Sequence, residues 1–441
     1  MKVDRLVEDI TRIGGVGAGS VTADSEALAW ALGAAPAHGR IGVRGGVTLQ
    51  IDPATIPDIT SPVTIEGVGG KPLLASQAAG TVFSVKSDHV TLRNMRSAGH
   101  DVGVATDRFV WLEGTAAAPL EHFQMDDVLT EGFWTSVQAD HVDGFDLTGL
   151  KMNAPGYAGV MLVSARNGVV DRLQVKDLVQ PPGFVNSYGI AMTRYELDNE
   201  TLAPRSAHIA VSNSMVDGAP WEAYDTHGGE HPTFPNCPPE NAATGMALVP
   251  SNDTSNVTEI LAPRHITVNS CSMSSGVDDG SAASGIVVRG SIGVGTNVTE
   301  YASNISLGGV SLDRFGTQDT DTIGALTMYG TKGLSFQGSI ATPSAFGVMA
   351  YYGNQGFTID GTVIDPWTTD GAICGAFIAR SGTNHGAIRM SLARGDKTAT
   401  RVAEYGAVIY SPGTTAITGK ANDFSAATIA EVSGALLAGQ A

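Results

Sequence analysis

A short strand-like phrase recurs along the chain and constrains the fold more than any other feature. Each copy begins with a turn-forming or polar residue and continues apolar, polar, apolar, so that alternate side chains face opposite sides, as in a β-strand. The copies begin at His89, His122, Gly144, His208, His265, Asn304, Gly333 and Gly356. The shortest intervals are about 23 residues, which is typical of coils of a parallel β-solenoid. A β-sandwich or a β-propeller is the alternative architecture.

The repeats predict an N-terminal segment with a capping helix (residues 1–40), a parallel β-helix (41–400) and a C-terminal coil or cap (401–441). Three consecutive intervals in the middle of the chain are much longer than a plain coil. Insertions in a solenoid project as loops on one face, often the binding face, so residues 183–303 are predicted to form the walls of a cleft. The coils of residues 324–370 are short and are predicted to be structural.

One helix is predicted near the N-terminus, over Asp24–Ala37. Asp24 or Ser25 is the expected N-cap, and Trp30 is expected on the apolar face with Ala and Leu side chains. An amphipathic helix of this kind can cover the open end of a solenoid.

The composition agrees with short strands and tight turns. The 441 residues include 55 Gly, and only 6% are aromatic and 16% charged, while 42% are hydrophobic, enough for a large core. Cys237, Cys271 and Cys374 form neither a disulfide framework nor a zinc-binding spacing. They are predicted to be buried thiols, with a single Cys237–Cys271 disulfide as the alternative.

The net charge of −18 argues against nucleic acid and anionic membranes as partners, because both need a basic surface. No apolar run is long enough for a membrane span, and the N-terminal residues show no signal peptide. An extracellular role would therefore require a signal removed earlier, or export within a larger particle.

The segment WEAYDTHGGEH, Trp221–His231, is the strongest candidate for a catalytic site. If residues 223–227 form a strand, Asp225 and His227 face the same side, where they could carry out acid–base chemistry on a sugar. Glu222 and Glu230 are the further carboxylates of the predicted catalytic set. The alternative is an Asp–His hydrogen bond that stabilises a long loop.

A second group is predicted to bind substrate through aromatic faces or charges. It consists of Trp221, Tyr224, Tyr188, Arg194, Glu196, Asp278 and Asp279. Two alternatives stay open: Arg194 could form a surface salt bridge with Glu196, and the two aspartates could belong to a solvated acidic loop. The histidines that begin several repeats are expected to be turn or stacking residues.

Two stretches resemble known families. TADSEALAWALGAAPAHGRIGV resembles the entry of right-handed β-helix proteins of the pectate-lyase superfamily, which implies an all-β, single-stranded right-handed parallel β-helix. YDTHGG is similar to a D-T-H-G-G phrase in β-helix tail proteins of phages that degrade host-surface polymers, and more loosely to the D-P-H phrase of mannuronan epimerases. Glu222 stands where the epimerases have Tyr, and Thr226 where they have Pro. The phage resemblance implies a homotrimer and an extracellular or virion location.

The leading hypothesis is a polysaccharide-cleaving glycoside hydrolase that uses two carboxylates. The alternative enzyme is a lyase or C5-epimerase acting on a uronic-acid polymer, with Tyr188 or His227 as base and Arg194 neutralising the substrate carboxylate. A non-catalytic tail fibre that binds glycan is the third hypothesis. The sequence has no calcium-loop motif and predicts no metal or other cofactor, although Ca²⁺ would be compatible with a lyase.

Overall fold

The structure is a computed structural model, in which the chain forms two compact units. The first comprises Met1–Tyr195 with Asn199–Met215, and the second comprises Glu196–Asp198 with Val216–Ala441. The described residues are 7–9, 17, 19–184, 186–195, 200–251, 260–276, 284–292, 298–315, 323–342, 346–366, 375–380, 384–392, 405–409, 416–419, 422–423 and 429–431.

The first unit begins with the predicted helix, but its boundaries and its buried face differ from the prediction. Helix α1 spans Val21–Ala34, and its N-cap is Ser20, whose side chain accepts a hydrogen bond from the Ala23 N–H. Asp24 is buried and instead accepts hydrogen bonds from the backbone N–H groups of Gly17 and Gln50. Trp30 is exposed, whereas Ala27, Leu28 and Ala31 are buried.

The strands of the first unit, together with one 3-10 turn at Pro53–Thr55, form three rows of parallel strands. They are β1 (Val7–Asp9), β2 (Gly39–Arg44), β3 (Thr48–Ile51), β4 (Val63–Val68), β5 (Leu73–Ser76), β6 (Thr81–Val85), β7 (Thr91–Ala98), β8 (Arg108–Glu113), β9 (Leu120–Glu131), β10 (Thr135–Asp140), β11 (Val142–Thr148), β12 (Lys151–Asn153), β13 (Ala158–Val163), β14 (Arg166–Asp171), β15 (Gln174–Lys176), β16 (Tyr188–Thr193) and β17 (Ala207–Ser212). One row pairs β6, β8, β10, β13 and β16 in that order.

The second unit is built in the same way, mainly from parallel strands that pair with strands one coil apart. Its strands are β18 (Met215–Asp217), β19 (Glu222–His227), β20 (Thr233–Pro235), β21 (Pro239–Glu240), β22 (Thr244–Val249), β23 (Thr267–Asn269), β24 (Ser272–Ser274), β25 (Ile286–Arg289), β26 (Ser291–Ile292), β27 (Val298–Glu300), β28 (Ala302–Asp313), β29 (Leu326–Tyr329), β30 (Thr331–Thr342), β31 (Phe346–Ala350), β32 (Asn354–Pro366), β33 (Gly375–Ala379), β34 (Asn384–Leu392), β35 (Tyr405–Ile409), β36 (Ala416–Gly419) and β37 (Ile429–Glu431). We call the parallel row β19, β22, β25, β29, β31, β33, β35 and β37 the site row. The predicted right-handed parallel β-helix with an N-terminal helix is therefore confirmed.

The residues that begin the coils explain why the repeated phrase starts with His, Asn or Gly. His89, His122, His208 and His265 all have φ between 55° and 58°, in the left-handed region that a sharp corner requires. The rings of His89 and His122 stack with centroids 4.8 Å apart. The predicted turn and stacking role of these histidines is thus what the structure displays.

The core of the second unit lies beneath the site row. Tyr224, Met246, Ile286 and Leu326 are in register on successive strands, and all four are fully buried. Cys237 and Cys271 are buried, free thiols, as predicted in preference to a disulfide, while Cys374 lies outside the described residues. Among the described residues, no helix is long and apolar enough to span a membrane.

Candidate active site

Strand β19 carries the D-T-H-G-G phrase, and its alternation separates structural side chains from chemical ones. Asp225 and His227 lie on the outer face of the strand, and the His227 Nε2 atom is 3.0 Å from the Asp225 Oδ2 atom. Thr226 points to the other face and is fully buried. Its hydroxyl accepts a hydrogen bond from the Gly229 N–H at 2.9 Å, so the threonine fixes the turn that follows the strand.

Gly228 is the residue in this turn that tolerates no side chain. Its φ is +73°, and a Cβ atom there would approach the Leu261 carbonyl oxygen to 2.5 Å. The Gly228 N–H also donates to the Val249 carbonyl at 2.8 Å. The turn is therefore held against the neighbouring coil, and it fixes the position of His227 at the end of the strand.

Asp225 is deeply buried and poorly satisfied. Its side chain is 1% exposed, against 24% for His227, so the imidazole forms the outer edge of the pair. Within the described part of the chain, neither carboxylate oxygen makes a hydrogen bond of normal geometry. Burial raises the pKa of Asp225, while the charge and the polar contact of His227, and a contact with the Thr226 backbone N–H, act in the opposite direction. A buried polar atom without good partners is costly, and such costs are concentrated at functional sites.

Glu222 completes a cluster of three groups at the start and end of β19. One side-chain donor atom from each of Glu222, Asp225 and His227 lies within 4.8 Å of the other two. Burial, and next the negative charge of Asp225, raise the pKa of Glu222 to about 8. The charges of His227 and Arg289 lower this pKa, and so does a side-chain hydrogen bond from Trp221. A carboxyl group with a raised pKa beside a second carboxyl group is an arrangement suited to acid and base roles.

This cluster is also the group among the described residues that could hold a metal ion. Its donors do not fit Ca²⁺, which takes six to eight oxygen ligands, because one of the three is an imidazole nitrogen. The nitrogen atom Nε2 is moreover at ion-pair distance from the Asp225 carboxylate. The arrangement is better suited to moving protons than to binding a hard cation.

Of the other residues predicted in this segment, Trp221 borders the cluster, whereas Glu230 and Tyr224 do not. Trp221 is 42% exposed next to Glu222 and offers a ring face for a sugar. Glu230 lies outside the cluster, because its carboxylate pairs with Arg264 at 3.0 Å. Tyr224 is fully buried and packs edge-on against Phe234 with centroids 6.0 Å apart, so it presents no surface to a substrate.

The other predicted substrate-binding residues fall in the first unit or outside the described residues. Tyr188 is buried, and its hydroxyl accepts a hydrogen bond from the Asn186 side chain at 2.9 Å. Arg194 is 2% exposed, so its guanidinium is not available at the surface. Glu196, Asp278 and Asp279 lie outside the described residues.

Three chains of low sequence identity are among the solved structures to which this chain is similar. Tailspike protein 3 of bacteriophage CBA120 matches with a TM-score of 0.59 and 13% identity, over 97% of this chain and 60% of that one. The Agl-KA catalytic domain matches with a TM-score of 0.53 and 11% identity, over 98% and 69%. The catalytic unit of the GH87 alpha-1,3-glucanase from Streptomyces thermodiastaticus strain HF3-3 matches with a TM-score of 0.52 and 15% identity, over 94% and 68%.

The chain has the parallel β-helix fold. It spans 60% of the length of the tailspike protein. No protein-family model matches the sequence, and no curated protein is similar to it. Below 25% identity the likeness extends to the fold alone, so the site must carry any functional conclusion.

Arg289 is the residue near this cluster that sequence reasoning missed. It ends β25 and contributes a positive charge close enough to lower the pKa of Glu222. A signal was available, because several strands of the site row end immediately before a glycine, as in His227-Gly228, Arg289-Gly290 and Tyr329-Gly330. Residues that recur in this slot occupy equivalent positions on successive coils.

Proposed function

We propose that this protein is a polysaccharide-cleaving enzyme whose reaction centre is Glu222, Asp225 and His227. The observation that supports this most strongly is the cluster on β19, in which the side-chain donor atoms of two carboxyl groups and one imidazole lie within 4.8 Å of one another. A tailspike protein and an alpha-1,3-glucanase with the same fold make a glycan a reasonable substrate class. The exposed ring of Trp221 at the edge of the cluster supports the same class, because aromatic faces stack on sugars.

The spacing of the two carboxyl groups supports hydrolysis with retention of the anomeric configuration, and this is the reaction that we propose. Glu222, whose pKa is about 8, is protonated at neutral pH and would donate its proton to the glycosidic oxygen. Asp225 would attack the anomeric carbon and form a glycosyl ester, with His227 holding the attacking carboxylate. Glu222, now ionised, would then take a proton from the water that attacks this ester.

The spacing of the groups is the reason for preferring retention. Retaining enzymes place their carboxyl groups about 5 to 5.5 Å apart, whereas inverting enzymes need roughly 6.5 to 9.5 Å to admit a water molecule. The donor atoms of Glu222 and Asp225 lie within 4.8 Å of each other. That upper limit lies near the spacing of retaining enzymes and below the spacing of inverting enzymes.

β-Elimination on a uronic-acid polymer is the second candidate, and the burial of Asp225 favours it. A carboxylate that is 1% exposed could act by orienting His227, which would then remove the C5 proton. Glu222 would protonate the leaving oxygen. Arg289 would neutralise the sugar carboxylate, which is the role that the sequence suggests for Arg194.

One experiment separates the candidates. The purified chain is incubated with a panel of bacterial surface, plant and algal polysaccharides, and the release of reducing ends is measured beside ultraviolet absorbance. Hydrolysis gives reducing ends without absorbance, and NMR of the first product then gives the retained anomer. Absorbance from an unsaturated sugar would support elimination instead. Binding without turnover by wild type, unchanged in Glu222→Gln, would support the non-catalytic glycan-binding fibre.

Location and assembly belong to the same proposal. A glycan-cleaving β-helix would act outside cells or on a virion, and the homotrimer implied by the phage resemblance stays a prediction. Sedimentation of the full chain would measure its oligomeric state.

A further inference from the structure

A column of aromatic and cationic side chains runs along the outer face of the site row. Arg289 is the register partner of Tyr329. Tyr351 directly follows Ala350, the partner of Met328, and Arg380 directly follows Ala379, the partner of Ala350. Each of these residues is either the last residue of its strand or the residue directly after it. Because the strands are successive members of one row, the side chains lie on one line. Together with Tyr352, we call them the tyrosine–arginine column.

The members of the column contact one another and are partly exposed. The rings of Tyr329 and Tyr351 stack with centroids 4.6 Å apart, and Tyr352 stands edge-on to both. The Arg380 guanidinium carbon lies 5.4 Å from the centre of the Tyr351 ring. Tyr351 also packs on an apolar cluster that includes Met349 and Ile378. The column therefore combines aromatic ring faces with cationic groups, and it packs on buried apolar side chains.

The column begins close to the reaction centre. Arg289 ends the strand two places along the site row from β19, and parallel strands are about 4.8 Å apart. Burial raises the pKa of Glu222 to about 8, the pKa of Tyr329 to about 12 and the pKa of Tyr352, and the positive charge of Arg289 opposes all three shifts. Its guanidinium thus acts on both the cluster and the tyrosines. Arg380 lies five places along, roughly 24 Å from the level of His227.

We propose that the tyrosine–arginine column binds anionic sugars of the same glycan that is cleaved at Glu222 and Asp225. The tyrosine rings stack on the sugars, and the guanidinium groups of Arg289 and Arg380 bind carboxylate or sulfate groups with paired hydrogen bonds. This inference rests on the proposed function, and it names the substrate class.

The net charge of the chain makes such local recognition necessary for an anionic substrate. A chain with a net charge of −18 repels a polyanion over most of its surface. Arg289 and Arg380 place two positive charges on the line that leads away from the reaction centre. Two guanidinium groups on one line match a glycan that carries carboxylate or sulfate groups.

Equilibrium binding by the full-length Asp225→Asn chain tests the proposal without turnover. Calorimetric titrations use oligogalacturonate, its carboxyl-reduced counterpart, a sulfated galactan oligosaccharide and its desulfated counterpart. We expect at least one anionic oligosaccharide to bind about 10-fold more tightly than its neutral counterpart, with the difference shrinking at high salt. The carboxylate and sulfate pairs tell which anionic group is recognised.

Variants in the same background locate the site. Arg380→Gln is expected to weaken anionic binding about 10-fold, Tyr351→Ala to weaken it similarly, and Tyr351→Phe to retain most of it. Arg389→Gln is the matched control, because Arg389 pairs with Asp360 on another row and its loss should leave binding unchanged.

Two results overturn the proposal: anionic and neutral forms that bind equally or not at all, or binding that Arg380→Gln leaves unchanged. These failures are separable from failure of the proposed function. A chain that binds anionic sugars through Arg380 but cleaves nothing contradicts only the catalytic role. A chain that cleaves glycan with the same KM in wild type and Arg380→Gln contradicts only the column.

Discussion

Two buried aspartates on equivalent rows of the two units have opposite environments. Asp140, at the end of β10 in the first unit, is 3% exposed. It accepts hydrogen bonds from the Trp111 indole at 2.8 Å, from the Tyr195 hydroxyl at 2.7 Å and from the Gln138 amide at 3.1 Å. Asp225 is equally buried, but neither of its oxygens makes a hydrogen bond of normal geometry with a residue that the structure describes.

In the proposed reaction, the difference separates a structural carboxylate from a reactive one. The donors around Asp140 hold it in one place, so we expect it to contribute to stability. Asp225 has His227 beside it and a protonated Glu222 nearby, and it keeps its basicity at a cost in stability. We therefore expect that burial alone does not mark a reactive carboxylate, and that burial without well-aligned donors does.

Substitution of the two aspartates should give the largest contrast. Asp225→Asn is expected to lower kcat by about 10³-fold or more without loss of stability, because it removes a poorly satisfied buried charge. Asp140→Asn should keep kcat and lower the free energy of unfolding by about 1 to 3 kcal/mol, since an amide disrupts the donor network. Steady-state kinetics and urea unfolding measure both effects. Similar losses of activity in the two variants would remove the distinction.

The pH profile tests the role of Glu222. A general acid must be protonated, so kcat/KM should fall as the pH rises through about 8, the pKa of Glu222. Glu222→Gln should lower kcat/KM by about 10² to 10⁴-fold and abolish this alkaline limb. The loss should be smaller for an aryl glycoside, whose leaving group needs no proton. An alkaline limb that persists in Glu222→Gln would assign it to another group.

The turn after β19 should be more sensitive to a methyl group than a comparable open turn. Gly228→Ala adds a Cβ atom 2.5 Å from the Leu261 carbonyl and should lower the free energy of unfolding by about 2 to 3 kcal/mol, with reduced activity as His227 moves. Gly356→Ala is the control, because the φ of Gly356 is also positive, at +63°, but an added Cβ atom would meet no other described residue within 4 Å. Its free energy of unfolding is therefore expected to fall by only about 1 kcal/mol. Thermal unfolding of both variants compares them, and equal costs would contradict the close packing of the turn.

The smallest effect is expected from metal removal. Because the donor set of Glu222, Asp225 and His227 does not fit Ca²⁺, dialysis against a chelator should leave kcat and KM unchanged. Activity lost on dialysis and restored by Ca²⁺ would favour a cation-dependent elimination.

The repeated phrase was enough to predict the architecture and the pairing of Asp225 with His227, since both depend on the two-residue period of a strand. That same period places Tyr224 inward once Asp225 faces outward, so its burial was readable from the sequence. The start of helix α1 could not be predicted from the sequence. Asp24 looks like an N-cap, but its carboxylate accepts a hydrogen bond from the Gln50 N–H, which only folding brings near.

The column was the feature hardest to predict. The coils of residues 324–370 look structural in the sequence, and Arg289, Tyr329 and Arg380 belong to intervals of unequal length. Only the strand register brings these positions into line, and loop lengths do not determine it. The glycine that follows Arg289 and Tyr329 is the weak signal that was available.

Trapping the covalent intermediate tests the central claim most directly. Glu222→Gln, incubated with an activated aryl glycoside of the sugar that is cleaved, should accumulate a glycosyl ester, because the aryl group leaves unprotonated while the attacking water lacks its base. Mass spectrometry of the intact chain and its peptides is predicted to find one added sugar, on Asp225. An unmodified chain that releases an inverted or unsaturated product would contradict the account.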